Sequence, residues 1–481
     1  MTLTSLKRIC WAILLAFWSL TITAQNEIKN FILMVPDGTS TAMLSVARWY
    51  QQYMDSTQTS LNIDPYICGL VTTFCSNAPI GDSAPTTSCY VTGQPSQKGY
   101  IATYPPKTDN DLVPIDTTRA YQPLATLFEA AKILNNKAVG LVVTCEFPHA
   151  TPADCMAHTY NRAQMKNIAK QMVYNQVDVI MGGGVSYLTP ELINVLKEKQ
   201  YDVILNDLDA FKRSQSPRTW ALFGDNDMPY DIDRDPSLMP SLAEMTHKAL
   251  ELLQQNENGF FLLVEGSKVD FAGHKNEAVR HITDFIAFDQ AVKEVVDFAK
   301  KDGHTLVIMV PDHGNGGINL GNNNSDKNYA KLSLKELYNN VGDKEYIGYT
   351  TKGHTGEDVF LGCYHPTNDH PSGVISNVEL YNYLCNQLNM KGVTPSLTEK
   401  IFAKHQEVFH DMPYTIEPRE DKTALLTVKY KGKTLSAESY TNYVTISQKR
   451  KKEVVELSSI IAYMDVNNTF YLPKDLRKLL E

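Results

Sequence analysis

The 481-residue sequence has no CxxC pair, no basic run longer than KRKK at residues 449–452, and no long apolar stretch beyond Ile22. Each absence excludes something. Without paired cysteines in finger-type spacing, cysteine zinc sites are not expected. A net charge of −9 leaves no positive field for nucleic acid, and the KRKK run reads as a solvated turn. Gly182-Gly183-Gly184 is not followed by the Lys-Ser/Thr of a P-loop, so a nucleotide cradle is not indicated. Repeats and low-complexity linkers are also missing, so no internal division announces itself.

What is there begins with an address. Lys7 and Arg8 precede an apolar run at residues 9–22, which ends in Thr23-Ala24-Gln25. That pattern predicts a secretory signal over residues 1–24, removed on export to a periplasm or the exterior. The run is short of the ~20 residues a membrane-spanning helix needs, which argues against a retained anchor. No membrane span is expected after its removal. Eight cysteines less Cys10 leave seven, an odd number that must include a free or inter-chain thiol. Mostly buried free thiols are expected.

The mature chain alternates short apolar runs with helical patterns. Residues 31–35, 69–74, 138–144, 177–181, 260–264, 305–310 and 359–364 read as strands, the last of them closing the core. Several are unbroken apolar runs, as in strands buried on both faces. The order predicts an α/β fold: a doubly wound, mostly parallel sheet with helices on both faces. From about Pro395 the texture turns to alternating Thr, Val, Tyr and Lys, predicting a small C-terminal β-rich appendage. The boundaries are 1–24 for the signal, 25–394 for a catalytic domain and 395–481 for an extension of unknown role. Residues 397–409 read as a helix within that extension.

Acids and histidines keep landing just after buried strands, the edge at which open α/β sheets bind ligands. Asp37 follows the first strand in Pro36-Asp37-Gly38. Glu265 ends the strand at 260–264. Asp270 and His274, at i and i+4, face one way if residues from Val269 are helical. Asp312 and His313 follow the strand at 305–310, and His354 sits in Lys352-Gly353-His354. A helix is expected to start at Ser83, with Asp82 as its N-cap and Pro85 in its first turn. The free N–H groups there favour an anion. After the strand at 138–144 come His149 and Thr151, then a helix from about Ala153 that carries His158 and Arg162. His158 reads as structural, whereas Arg162 could grip two phosphate oxygens with its planar fork. If the acids and histidines converge they make two zinc sites, and Glu265 suits magnesium. Two metals can hold the attacking and leaving oxygens of an in-line displacement, with Ser83 as nucleophile.

Over residues 28–390 the sequence resembles the metal-dependent alkaline phosphatases. The motifs that carry this are VPDG at Asp37, GDSAPT at Ser83, HATP with Arg162, PSLAEMT leading into VEGSKVDFAGH, PDHG, and KGHTGED. The resemblance implies hydrolysis of phosphate monoesters through phosphorylated Ser83. It implies one zinc on Asp270, His274 and His354 and another on Asp37, Asp312 and His313. It implies magnesium on Asp37, Thr151 and Glu265 with His149 beside it, Asp82 orienting Arg162, and a homodimer. Two positions depart from many bacterial members: His149 replaces Asp, as in animal members, and Phe271 replaces Lys. Weak magnesium binding and easy phosphate release are expected from these changes. A phosphodiesterase of the same superfamily is the alternative. A sulfatase lacks its arginine in Ser83-Ala84-Pro85-Thr86-Thr87, and a non-catalytic metal- or phosphate-binding protein would have no use for Ser83 beside two metal sites.

Overall fold

The computed structural model describes residues 27–321 and 347–481, so the predicted signal lies outside the described residues. Ten strands make the central sheet: β1 (Asn30–Val35), β2 (Ile67–Thr72), β3 (Ala138–Glu146), β4 (Val179–Gly183), β5 (Asp202–Leu205), β6 (Thr219–Leu222), β7 (Phe260–Glu265), β8 (Thr305–Met309), β9 (Val359–Tyr364) and β10 (Gly373–Ser376). Their order is β10-β2-β9-β8-β1-β7-β3-β4-β6-β5. All run in one direction except β9, which is antiparallel to both β8 and β2. The predicted α/β architecture with helices on both faces is therefore present.

The continuous apolar runs have a simple cause. Side chains alternate across a strand, and here both faces are covered. Phe31, Leu33 and Val35 pack on one side with Leu127, Phe128, Met156 and Met172. Ile32 and Met34 pack on the other with Met245, Leu252, Phe285 and Phe288. Helices Leu127–Asn135 and Met165–Tyr174 cover the first face, and Leu242–Leu253 and Ala278–Asp302 the second. Each fully buried Leu, Ile or Phe contributes about 1.5–3 kcal/mol.

Four expectations are corrected. First, β9 is not the last core strand, since β10 follows it and pairs in parallel with β2. Second, the helix after β3 spans Ala150–Met156, so His158 and Arg162 lie on the loop beyond it. Backbone and side-chain bonds hold that loop: Thr159 pairs with Ile101, and the His158 backbone donates to Gln171 Oε1 and accepts from Gln171 Nε2. Third, residues 397–409 are not one helix. Helix Val393–Ile401 ends, Ala403–Lys404 pairs with the strand Thr469–Leu472, and a short helix His405–Val408 follows. A distant strand takes the backbone groups a helix would have used. Fourth, Asp82 stands at the N-cap of helix Ser83–Thr92 without capping it, because its carboxylate is engaged elsewhere.

The C-terminal segment forms a five-stranded antiparallel sheet, Tyr414–Pro418, Ala424–Tyr430, Lys433–Glu438, Tyr443–Gln448 and Lys451–Glu456, paired in sequence order. A three-stranded sheet joins it to the body. Leu397, Ile401, Phe402, Ile460, Ala462 and Tyr471 pack there against Ala125 and Ala130. Helix Val393–Ile401 runs across position 394. All seven cysteines among the described residues are unpaired thiols, and all but Cys68 are buried. No helix of the described residues is long and apolar enough to cross a membrane.

His158 sits at the hub of a buried network. Its Nε2 meets Glu129 Oε1 at 3.0 Å and its Nδ1 the Ala102 carbonyl at 3.0 Å. Glu129 also accepts from the Asn175 amide at 2.9 Å and from the Thr126 N–H at 3.1 Å. Replacing Glu129 by Ala takes one bond from each of these three partners and removes half of the Thr126 capping box, so Glu129→Ala should cost about 3–5 kcal/mol in urea unfolding. Glu129→Gln should cost clearly less. A loss below about 1 kcal/mol for the alanine variant would show that the network carries no stability.

Candidate active site

The four central strands β8, β1, β7 and β3 are neighbours, and their carboxyl ends open at one edge. Met34 is in register with Met309 and Val35 with Glu265. Asp37 and Asp312 each follow the first pair by three residues and so arrive level. The Gly38 N–H donates to Asp312 Oδ1 at 3.0 Å. Gly38 has φ +59°, and a Cβ there would lie 2.2 Å from Asp270 Oδ1. Only glycine lets the β1 turn close on that carboxylate.

The predicted helix at Asp270 is Lys268–Lys275, and it brings Asp270 and His274 together as their spacing requires. His274 Nε2 is 3.4 Å from Asp270 Oδ2. His354 Nε2 is 3.2 Å from His274 Nε2 and 3.9 Å from Asp270 Oδ1. His313 Nε2 is 3.3 Å from Asp312 Oδ2 and 3.5 Å from Asp37 Oδ1. The backbone sets this arrangement. His274 Nδ1 donates to the Lys352 carbonyl at 2.7 Å, His354 Nδ1 to Gly81 at 3.0 Å, and His313 Nδ1 to Gly314 at 3.2 Å. A proton held on Nδ1 leaves each Nε2 lone pair aimed inward.

The donors suit cations. Asp270, His274 and His354 each offer an atom within 4.8 Å of the others, and so do Asp37, Asp270 and His313. Asp37 Oδ2, Asp312 Oδ2, Glu265 Oε1, Thr151 Oγ1 and His149 Nδ1 are buried with no hydrogen-bond partner. Two imidazole lone pairs facing at 3.2 Å repel unless positive charge lies between them. Burial pushes the Asp37 carboxyl well up, and its neighbours Asp312, Asp270 and Glu265 push it further. Glu265 is raised to about 7, first by burial and also by Asp312, against a Ser267 hydrogen bond. Burial lowers His354 to about 4, with His313 adding to the effect, so its ring is neutral at pH 7 and free to ligate.

Ser83 is the first residue of helix Ser83–Thr92. Its Oγ lies 3.4 Å from Asp37 Oδ1 and 3.4 Å from His313 Nε2. It lines a cavity of ≈ 440 Å³, together with Arg162, His354 and Lys98. Arg162 reaches this cavity from its loop because its N–H donates to the Gly99 carbonyl at 2.8 Å. Its guanidinium spans Asp82 Oδ1 at 3.4 Å and His149 Nε2 at 3.0 Å. Burial raises the Asp82 carboxyl, but Arg162, His313 and His354 outweigh it, and the group stays below the ordinary range. Asp82 therefore remains an anion that can hold the guanidinium. Burial, then Arg162, lowers His149 to about 3, leaving it neutral. Phe271 lies edge-on to His149, their ring centroids 5.7 Å apart, and the Lys268 ammonium stands 4.5 Å from the centre of the Phe271 ring while pairing with Asp227 at 3.3 Å.

The residues singled out as candidate ligands and catalysts come together at this one edge, while His158 lies in the buried network with Glu129. Thr151, on helix Ala150–Met156, is buried near Glu265. Several participants carried no sequence signal. Asn315 donates to Asp270 Oδ1 at 2.6 Å and to the Asp270 carbonyl at 3.0 Å, fixing that carboxylate. It stands two residues past His313, and that proximity was its only clue. Lys98 lines the cavity from a segment without a motif, and Lys275 from the position just past His274. Cys145 lies beside Glu265 because β3 and β7 are paired.

Comparisons with known proteins agree with this geometry. The alkaline phosphatase family model matches residues 28–333. Alkaline phosphatase 3 of Bacillus subtilis (strain 168) is 30% identical over 426 residues, which covers 74% of this chain and 88% of that protein. The solved cold-active alkaline phosphatase from the psychrophile Shewanella sp. superposes with a TM-score of 0.64 at 27% identity, covering 75% of this chain and 99% of that one. The enzyme from the Antarctic bacterium TAB5 gives 0.62 at 26% identity, covering 76% and 98%. A His-to-Asp mutant of the TAB5 enzyme has magnesium bound in its M3 site. The match spans more than half of the chain, and the chain belongs to the alkaline phosphatase family of phosphoric monoester hydrolases.

Proposed function

We propose that this alkaline phosphatase is exported and hydrolyses phosphate monoesters through a phosphoserine at Ser83, using two zinc ions and one magnesium. The observation that carries the reading is the Ser83 hydroxyl. It stands 3.4 Å from both Asp37 Oδ1 and His313 Nε2 and opens on the cavity that Arg162 also lines. Export is supported by the signal pattern of residues 1–24, and a homodimer by the family resemblance. Asp270, His274 and His354 would hold one zinc, and Asp37, Asp312 and His313 the other. Asp37, Thr151 and Glu265 would hold magnesium. Zinc at these places would supply positive charge that lowers the cost of an ionised serine oxygen and a departing alkoxide.

The chain's own groups supply position. Arg162 grips two oxygens of the transferring phosphoryl group with its fork. Asp82 and His149 hold the guanidinium from two sides, so it is pre-aimed before substrate arrives. The helix that begins at Ser83 turns its first N–H groups toward the same anion. Ser83 attacks phosphorus, the ester oxygen leaves, and water then frees the serine. The extension at residues 395–481 contributes none of these groups.

Three measurements test this reading. Ser83→Ala should abolish labelling from a radioactive phosphate ester while fold and zinc content survive. Label at wild-type stoichiometry in that variant removes Ser83 as nucleophile. His354→Ala should lower bound zinc by about one ion per chain, because two ligands hold zinc weakly. Unchanged zinc by atomic spectroscopy strikes His354 from the site. His149→Asp adds a carboxylate beside Glu265 and should bring magnesium activation to a lower concentration. An unchanged magnesium titration would count against the charge argument.

A further inference from the structure

The edge that holds Glu265 also holds a sulfur donor. Cys145 lies near the end of β3, fully buried, and its thiol donates to Glu265 Oε2 at 3.6 Å. A ring nitrogen of His149 completes a group in which the three donor atoms lie within 4.8 Å of one another. Within these donor side chains Glu265 Oε1, on a side chain with no exposed surface, and His149 Nδ1 have no hydrogen-bond partner. Sulfur, imidazole nitrogen and a single carboxylate make a zinc-type donor set. Magnesium takes oxygens and gains nothing from a thiolate.

We infer that Cys145, His149 and Glu265 bind a thiophilic divalent cation of the zinc class, in competition with magnesium for Glu265. The inference rests on the reading that Glu265 belongs to a metal centre. Metal–ligand lengths of about 2.0–2.3 Å put ligand atoms about 3.5 Å apart in a tetrahedral site, so the donors need close by only about 1 Å. On binding, the Cys145 S–H bond breaks, its proton passes to water and a sulfur–metal bond forms, with no change of oxidation state. His149 has one lone pair as a neutral ring. Arg162 donates to Nε2, so the proton sits on Nδ1. Ligation through Nδ1 moves that proton to Nε2 and turns the guanidinium to Asp82, its other partner. The absence of CxxC spacing does not forbid such a site, because its cysteine, histidine and glutamate come from different elements.

The test uses the full-length protein, dialysed against excess zinc without magnesium and then freed of loosely held ions. Wild type should retain about three zinc ions per chain and Cys145→Ser about two. Replacing zinc by cobalt(II) should give a thiolate-to-cobalt absorption band in wild type that is missing from Cys145→Ser. Should the variant not fold, the wild-type count and band decide by themselves. Among the described residues no other cysteine belongs to a group able to hold a metal. A wild-type count that stops at about two, or cobalt protein without the band, overturns the inference and leaves the two-zinc reading standing. A wild-type count near zero would sink the metal centre as a whole, and this inference with it.

Discussion

Asp37, Asp270, Asp312 and Glu265 are buried in one corner of the fold, and like charges buried together are costly unless a cation or a proton balances them. The surrounding structure answers to that cost. Backbone carbonyls hold the Nδ1 protons of three histidines, so that neutral rings turn lone pairs toward the acids. Asn315 satisfies one oxygen of Asp270 and the Gly38 N–H one of Asp312, while Asp37 Oδ2, Asp312 Oδ2 and Glu265 Oε1 stay open. A set of acids aimed inward with partly satisfied oxygens is built for positive charge.

The sheet makes the corner possible. Parallel strands in register deliver residues that follow them to the same level, and the four central strands are the ones whose ends carry the acids and histidines. Apolar packing on both faces holds that register, because a slip of one residue would turn every buried side chain to the wrong face. The chemistry therefore depends on core residues such as Phe31, Leu263 and Ile308, which never approach it. His354, on the separate two-residue strand His354–Thr355, and Arg162, on a loop, are the exceptions. That loop is fixed by backbone pairing with the segment at Gly99 and by the buried His158–Glu129 network behind it.

Much of this was legible in the sequence. The strands were visible because both faces of each are buried, which leaves no polar alternation to confuse the reading. The acids were visible because each stands just past such a run. Asp270 and His274 were visible as a pair because helical spacing is local. The misreadings share a different cause. His158 and Arg162 looked helical, and residues 397–409 looked like one helix, because the local pattern permits it. In both places the chain instead gives its backbone to a distant segment, Ile101 in one case and the strand Thr469–Leu472 in the other.

The sequence by itself determined the α/β alternation and the identity of nearly every acid and histidine at the site, because each of these is written within a few neighbouring residues. Only the tertiary structure decided that β9 runs against its neighbours, that Asn315 steadies Asp270, that Arg162 is shared between Asp82 and His149, and that Cys145 meets Glu265. The side-chain contacts among them join residues 13 to 120 positions apart, and Phe360 of β9 pairs with Leu70, 290 positions back. No local preference encodes them; they arise when packing on both faces of the sheet fixes which strands are neighbours and at what register.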